Sequence, residues 1–214
     1  MKKYKKTVLL TTFLCLIPLF IGLLLWNKLP DTIATHFDIN NNPDGWSSKA
    51  FTILGLPLFL TTIHLFTLFF TLQDPKRKNI SDKMLKIIFW AIPLTSIIVM
   101  ISTYAVALGY SSDFVGISVN LIVGFIFIAI GNYMPKTKQN YTVGIKIPWT
   151  LNSEENWNKT HRFASKLWIA GGFLFIITGF FLTETPLAHL PLFFTLLLVS
   201  LPMIYSFALY KKGI

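Results

Sequence analysis

Few side chains in this sequence combine the chemistry and the spacing of a catalytic or metal site. Asp38, Asn40, Asn42 and Asp44 recur at every second position, as ligands in the first half of a calcium loop do. Pro43 replaces the glycine that such a loop needs at its turn, and Lys49 replaces the bidentate glutamate. Cys15 is the single cysteine, which excludes a multi-cysteine zinc site and an internal disulfide. The sequence therefore predicts no metal and no cofactor.

A second set of polar residues, His161 with Glu154 and Glu155, is too loosely spaced to name as a catalytic constellation. The sequence contains no G-x-S-x-G elbow, no H-E-x-x-H pair and no phosphate-cradling glycine loop. A membrane enzyme that uses Glu155, His161 and Arg162 is the least favoured alternative. We expect this protein to act by binding, without catalysis.

Two polar residues fall inside long apolar runs. His64 is the one titratable side chain deep in such a run, and Asn120 lies in another. Two interpretations of His64 stay open, a neutral imidazole bonded to a neighbouring helix and a group that faces a ligand cavity. An internal cavity near His64 and Asn120 would suit a small transporter or a lipid- or peptide-binding protein.

The composition decides which elements hold these residues. Of the 214 residues, 53% are hydrophobic and 13% are charged, and the mean hydropathy is +0.60. A soluble domain carries about 25% charged residues. Each apolar run is long enough for a membrane-spanning helix and lacks the alternation of a barrel strand. We predict an all-α integral membrane protein, a bundle of six helices over 7–26, 50–72, 87–109, 114–134, 163–183 and 187–210.

The spacing of small residues predicts how these helices meet. The short connections 110–113 and 184–186 make antiparallel neighbours of the third and fourth helices and of the fifth and sixth. Gly116 and Gly124 share a helix face, as do Gly172 and Gly179. Glycines on one face permit close helix approach in a membrane, although simple packing explains them equally.

Basic residues predict the orientation of the bundle. Of the 19 Lys and Arg residues, all except Lys28 and Lys49 fall on one side of the predicted spans. Because cytoplasmic loops are rich in Lys and Arg, we expect both termini in the cytoplasm of a bacterial cell, with the bundle in its inner membrane. The formal net charge of +10 therefore encodes topology, and no direct nucleic-acid partner is expected.

This orientation leaves an external segment, 27–49, and a cytoplasmic loop, 135–162. In the external segment we expect a short extended piece over 33–37, then an Asn/Pro/Asp/Gly turn and an aromatic anchor at Trp46. This face is mildly acidic and suits a cationic peptide. Its candidate contacts are His36, Asp44 and Trp46; a solvated linker is the alternative.

The cytoplasmic loop is the most distinctive segment. Ser153 before acidic residues predicts a helix start that runs directly into the fifth span. We expect Trp149 and Trp157 to anchor at the membrane interface and Lys146, His161 and Arg162 to face lipid phosphate or an acidic partner. A hairpin that merely caps the bundle is the alternative. The candidate partner contacts in this loop are Asn140, Lys146, Trp149, Trp157, His161 and Arg162.

Two sets of residues resemble known families. Leu29-Pro30 through His36, then Pro43-Asp44-Gly45-Trp46 and Lys49, resembles the loop of the domain of unknown function 1648. The later residues resemble the SdpI family of bacterial toxin-immunity membrane proteins. They are Gly131-Asn132, Asn140, Gly144-Ile145-Lys146, Pro148-Trp149-Thr150-Leu151, Trp157 and His161-Arg162.

The resemblance implies two units and a function. The units are 1–83, a helical pair with the external loop, and 84–214, four helices with the cytoplasmic loop. SdpI-type proteins protect a cell from a secreted killing peptide, and the bound immunity protein recruits a transcriptional repressor to the membrane. The resemblance therefore implies a secreted peptide toxin, membrane lipids and a cytoplasmic repressor as partners.

Overall fold

The computed structural model describes residues 2–38, 40–181 and 190–214. Within these ranges, six helices are long and apolar enough to cross a membrane, which confirms the six-span prediction. These helices are α1 (Lys5–Leu24), α2 (Leu56–Leu72), α3 (Asp82–Ala107), α4 (Asp113–Tyr133), α6 (Glu154–Phe181) and α7 (Leu190–Lys211). A π-helical turn, Phe51–Gly55, leads directly into α2, and the short helix α5 spans Pro148–Asn152. The predicted connection 184–186 lies outside the described residues.

Serine side chains define the starts of two of the long helices. The hydroxyl of Ser81 accepts a hydrogen bond from the Met84 N–H at the start of α3. The hydroxyl of Ser153 accepts from the Asn156 N–H at the start of α6. A serine before the first turn satisfies an N–H that has no partner within the helix. The predicted start near Ser153 is confirmed, and α6 runs without a break into its apolar part.

A β-hairpin follows α1. Strands β1 (Thr32–Phe37) and β2 (Pro43–Ser48) pair antiparallel, with an irregular register between Ala34 and Phe37. The extended piece predicted over 33–37 is confirmed. The second strand was not predicted, because a Pro-Asp-Gly sequence is typical of turns and not of strands. Within the described ranges this hairpin is the only β-sheet.

Hydrogen bonds show which segments share an end of the bundle. Arg77, between α2 and α3, donates to the Tyr4 hydroxyl at 2.9 Å. Asn156, at the start of α6, donates to the backbone oxygen of Ile214 at 3.1 Å. Both chain termini therefore lie at one end, which we call the terminal end. The opposite end carries β1 and β2 and is called the hairpin end.

Each end has its own buried apolar cluster. Under the hairpin, Ile33 of β1 packs with Met100 and Tyr104 of α3. At the terminal end, Leu68 of α2 packs with Met84 and Phe89 of α3. Many large apolar side chains along the helices stay exposed in the isolated chain. That exposure is what a lipid-facing surface requires, since lipid tails replace the missing protein contacts.

Glycines bring α4 and α6 together. A Cβ at Gly124 would lie 2.6 Å from the Gly172 carbonyl oxygen, and a Cβ at Gly172 would lie 2.6 Å from the Gly124 carbonyl oxygen. Farther along, a Cβ at Gly179 would lie 2.6 Å from the Cβ of Asn120. The predicted close approach at Gly124, Gly172 and Gly179 is confirmed. Gly116 differs, because its neighbour is the hairpin residue Asn41.

Candidate functional site

The three hairpin residues singled out from the sequence lie on β1 and β2, at the hairpin end. His36 Nδ1 lies 2.5 Å from Asp44 Oδ1, so the two strands are joined by this polar contact. Trp46 leaves 61% of its surface exposed. Gly45 sits opposite His36, and a Cβ there would lie 2.9 Å from the His36 Cβ. The hairpin thus joins an imidazole to a carboxylate across its two strands and carries an exposed indole on β2.

The two ends of the hairpin are held by different interactions. At its base, Lys49 Nζ lies 3.0 Å from Asp31 Oδ1 and 5.6 Å from the centroid of the Trp26 ring. At its tip, the Asp38 carboxylate accepts the N–H groups of Asn40 and Asn42, each at 2.8 Å. These hydrogen bonds, led by the one from Asn42, lower the pKa of Asp38 below its usual value. Asp38 therefore stays an anion at the tip.

A cleft of about 440 Å³ lies beneath the hairpin. The hairpin lines it on one side with Thr35, His36 and Asp38, and helix side chains line the rest. The cleft is apolar along its walls and has polar groups at its rim and floor. The lining helix residues include Val99 and Thr103 of α3, Val115, Val119 and Asn120 of α4, and Phe175 of α6.

The hairpin tip rests directly on α4. Asn41 has a positive backbone φ of 63°, and its side-chain amide fills the space where Gly116 has no Cβ. One turn farther along α4, Asn120 Nδ2 donates to the Gly116 carbonyl oxygen at 2.9 Å. The contact between Asn41 and Gly116 was not predicted, because the two residues lie far apart in the sequence. The contact fixes the hairpin against the helices that form the cleft.

At the terminal end, His161 of α6 organises the loop that follows α4. Its Nε2 accepts the Ile145 N–H at 3.0 Å, so the proton of the neutral ring lies on Nδ1, which donates to the Trp157 carbonyl oxygen at 2.8 Å. The imidazole also stacks on Trp157 with ring centroids 4.0 Å apart. Gly144, with φ +123°, passes against this pair where a Cβ would collide with His161. His161 therefore supports the loop from inside.

Asn140 closes the first turn of the same loop. Its side-chain oxygen accepts the N–H groups of Thr142 and Val143, and its amide donates to the carbonyl oxygens of Lys138 and Val143. The residue is fully buried. All the hydrogen-bonding capacity of Asn140 is thus used within the loop.

Two buried residues that sequence reasoning missed tie this loop to the rest of the bundle. Asp74, after α2, accepts hydrogen bonds from the Tyr141 N–H at 3.0 Å and the Thr142 hydroxyl at 2.7 Å. Gln139 accepts from Lys76 Nζ at 2.7 Å and donates to the carbonyl oxygen of Thr150. The one sequence signal for Asp74 was its place in an Asp-Pro pair at the end of a span, which is typical of a turn.

Burial divides the predicted loop contacts into two groups. Trp157 and His161 are buried, so the expectation that Trp157 anchors at the interface and that His161 faces a phosphate or a partner is wrong. Their polar atoms are used inside the protein, since Trp157 Nε1 donates to the Thr137 carbonyl oxygen at 2.8 Å. Lys146 and Arg162 are exposed. Trp149 is half-buried and stacks on Tyr210 of α7.

The two intramembrane polar residues lie at different helix interfaces. His64 of α2 is fully buried, and its Nε2 lies 3.0 Å from the Thr11 hydroxyl oxygen of α1. Asn120 lines the cleft beneath the hairpin, between α4 and α6. The sequence-based idea of one cavity near both residues is therefore not supported. The interpretation of His64 as an imidazole bonded to a neighbouring helix agrees with this contact.

Comparison with known proteins gives one consistent result. The model of the SdpI/YfhL protein family matches residues 136–206, and that of the domain of unknown function DUF1648 matches residues 13–61. Immunity protein SdpI of Bacillus subtilis (strain 168) is 27% identical over 213 residues, which cover 97% of each chain. The resemblance to the SdpI family is confirmed. No solved structure matches this chain.

The two matched regions divide the features described above between them. The DUF1648 match contains the whole hairpin, and the SdpI/YfhL match begins at the loop organised by His161. Together with the six long apolar helices, the SdpI-type relationship supports a membrane immunity function. The division into units at residue 83 stays a prediction.

Proposed function

We propose that this protein is a bacterial cell-membrane immunity protein that binds a secreted killing peptide at the hairpin end. The observation that carries the proposal is the cleft of about 440 Å³ roofed by the hairpin. A partly apolar cleft with a few polar groups at its rim is typical of ligand sites. The relationship to an immunity protein supports a peptide toxin as the ligand.

The distribution of charge supports the orientation that this function needs. Lys and Arg concentrate at the terminal end, and the hairpin end holds Lys28 and Lys49, of which Lys49 is paired with Asp31. The positive-inside rule then places both termini in the cytoplasm and the hairpin outside the cell. A peptide that arrives from outside meets the hairpin first.

The charges of the hairpin end favour a cationic, amphipathic peptide. Asp38 stands at the rim of the cleft with its charge maintained by the turn, and Asp44 lies near it on β2. Trp46 offers an exposed aromatic surface on the same strand as Asp44. Basic side chains of the peptide would lie along these carboxylates while an apolar side chain enters the cleft. Such binding keeps the peptide from assembling in the bilayer.

The terminal end supplies the surface for a cytoplasmic partner. The SdpI resemblance implies recruitment of a transcriptional repressor, and Lys146 with the half-buried Trp149 is accessible on the loop there. Signalling would require peptide binding to favour one of two arrangements of the bundle. Helices α4 and α6 extend from the cleft to the terminal end, so a change in their packing could link the two ends.

Survival of a peptide-sensitive bacterium tests the proposal. Cells that lack their own immunity gene would express this protein, and survival would be measured against a purified killing peptide of the SdpI-associated class. The proposal predicts protection by the wild type and a loss with Trp46→Ala or His36→Ala at equal membrane abundance. Phe66→Ala is the matched control, because Phe66 is 64% exposed on α2, away from the cleft.

Two other results would redirect the account. Survival no better than with an inert six-span protein, at confirmed membrane insertion, would contradict the immunity function. Energy-dependent movement of labelled peptide across proteoliposomes would favour the alternative, a small transporter that uses the cleft and Asn120. Retention of the peptide at the outer surface supports the binding mechanism.

A further inference from the structure

A second, polar cavity lies at the terminal end, between the segment after α4 and the first turns of α6. Its volume is about 570 Å³. Three cationic side chains line it, Lys136, Lys138 and Arg162, against the single carboxylate of Glu154. The cavity is separate from the cleft beneath the hairpin, and nothing in the proposed immunity mechanism uses it. Its excess of positive charge points to an anionic ligand.

The cations of this cavity are not neutralised within the described part of the chain. Neither Lys138 nor Arg162 forms a side-chain hydrogen bond or an ion pair with a described residue. Lys136 lies over the Tyr133 ring, 5.8 Å from its centroid, which positions the ammonium without cancelling its charge. Three cations held around one space repel each other, and an anion between them removes that repulsion.

The wall that carries the two lysines is rigidly held. The Lys138 N–H donates to the Asn79 carbonyl oxygen at 3.2 Å, and Asn79 Nδ2 donates to the Gln139 carbonyl oxygen at 2.6 Å. On the other side, Trp157 Nε1 donates to the Thr137 carbonyl oxygen. Because this backbone is already fixed, binding costs less conformational entropy than it would on a mobile loop.

The position of the cavity along the bundle favours a membrane source for the anion. Lys136 follows directly after α4, and Arg162 comes immediately before the apolar residues of α6. Both therefore lie where apolar spans give way to polar sequence, which is the level of phospholipid headgroups. Arginine suits a phosphate there, because its planar guanidinium donates two parallel hydrogen bonds to phosphate oxygens.

We propose that this cavity is a phosphate-binding site that takes the headgroup phosphate of an anionic phospholipid. Arg162 and Lys138 bind the phosphate oxygens, and Lys136 adds charge from the side. Glu154, which also lines the cavity, disfavours ligands of higher negative charge. The same chemistry would accept soluble phosphate, so the test separates the two sources.

Lipid binding to the full-length protein provides the test. Protein purified in a mild detergent would be titrated with phosphatidylglycerol, and retained lipid would be counted by native mass spectrometry. We expect one tightly held lipid, bound about tenfold or more weakly by the variant with Lys138→Gln and Arg162→Gln. The matched control is Lys166→Gln with Lys212→Gln, which removes two exposed charges outside this cavity and should leave retention unchanged.

Equal weakening in the control variant would overturn the proposal, because it would show general charge attraction without a site. Equal retention of phosphatidylcholine would overturn it as well. Displacement of the lipid by inorganic phosphate would support phosphate recognition with a soluble source, whereas retention against inorganic phosphate supports the lipid. Partial rescue by Arg162→Lys, at an unchanged unfolding temperature, would show that the variants act on binding and not on folding.

Discussion

Gly124 and Gly172 lie opposite each other where α4 and α6 cross, and the carbonyl oxygen of each occupies the space of the other's missing Cβ. The same helix pair is joined near the terminal end by the Ser165 hydroxyl, which donates to the Gly131 carbonyl oxygen at 2.7 Å. Close packing of small residues stabilises helix pairs in membranes, where no hydrophobic force acts between helices. This crossing connects the cleft beneath the hairpin with the loop at the terminal end.

A methyl group at this crossing should separate the helices. Gly172→Ala would place its Cβ 2.6 Å from the Gly124 carbonyl oxygen, a backbone atom that cannot rotate away. We expect a loss of about 1–3 kcal/mol in the free energy of unfolding, despite the better helix propensity of alanine. Equilibrium unfolding of the detergent-solubilised protein measures this loss of free energy. Ala170→Val, on the exposed side of α6, is the control, and an equal loss there would contradict the packing argument.

The hydrogen bond between α1 and α2 can be tested with a nearly isosteric change. Thr11→Val would remove the hydroxyl that lies 3.0 Å from His64 Nε2 and leave the buried imidazole without that partner. Such bonds in membranes contribute about 0.6–1.7 kcal/mol, and we expect a loss in that range. The control is Thr62→Val, which removes an exposed hydroxyl that donates to the Leu58 carbonyl oxygen of the same helix. Equal unfolding energies for the two variants would show that the His64 contact adds nothing.

Loss of the hydrogen-bond acceptor at His161 should make the loop that follows α4 easier to cleave by protease. His161→Phe keeps a ring against Trp157 but leaves the Ile145 N–H without its acceptor. An unpaired donor away from water costs about 1–3 kcal/mol, so local opening should rise about fivefold or more. Cleavage by trypsin at the exposed Lys146 reports this opening.

The control for this loop prediction is Glu155→Gln, which removes only the Glu155–Lys159 pair at 2.7 Å on the surface of α6. Exposed pairs of this kind contribute little. Trypsin cleavage at Lys146 that is unchanged in His161→Phe, relative to the wild type, would mean that the loop does not depend on the imidazole.

The hairpin tip should respond to acid. Because hydrogen bonds from Asn40 and Asn42 lower the pKa of Asp38, the turn is fully stabilised above the usual pKa of an aspartate. This stabilisation is lost as the pH falls through the lowered pKa of the folded state. The backbone amide NMR signals of Asn40 and Asn42 should move together in that acidic window. In Asp38→Asn the movement should vanish, and its persistence would assign the titration to another group.

The sequence was sufficient for the six long helices and for the start of α6 after Ser153, because apolar run length and a capping serine act locally. The start of α3 at Asp82, five residues before the predicted span, was not predicted. The sequence indicated that helices could approach closely at Gly124 and at Gly172, since small residues on one helix face permit this, but not that these two glycines meet. The partners of Asp74 could not be predicted, because Tyr141 and Thr142 lie 67 and 68 residues away along the chain. The position of Trp157 was predicted wrongly for a different reason, because an indole near the end of a span suits either the membrane interface or the protein interior.

The candidate site was predicted only in part. His36 and Asp44 contact each other on the hairpin, and Trp46 is exposed on the same strand as Asp44, while their role toward a peptide stays a prediction. The cleft was invisible in the sequence, because residues such as Val99 and Phe175 are unremarkable members of apolar spans until the helices are assembled.

The most direct test of the account is to ask where the killing peptide lies on the protein. A photo-reactive amino acid would replace Val119, at the cleft, or Phe125, which is 61% exposed on the same helix α4. Protected cells would then be given labelled peptide and illuminated. The account predicts a cross-linked product from position 119 and little from position 125. Equal products from both positions, or none from either in protected cells, would contradict binding in the cleft.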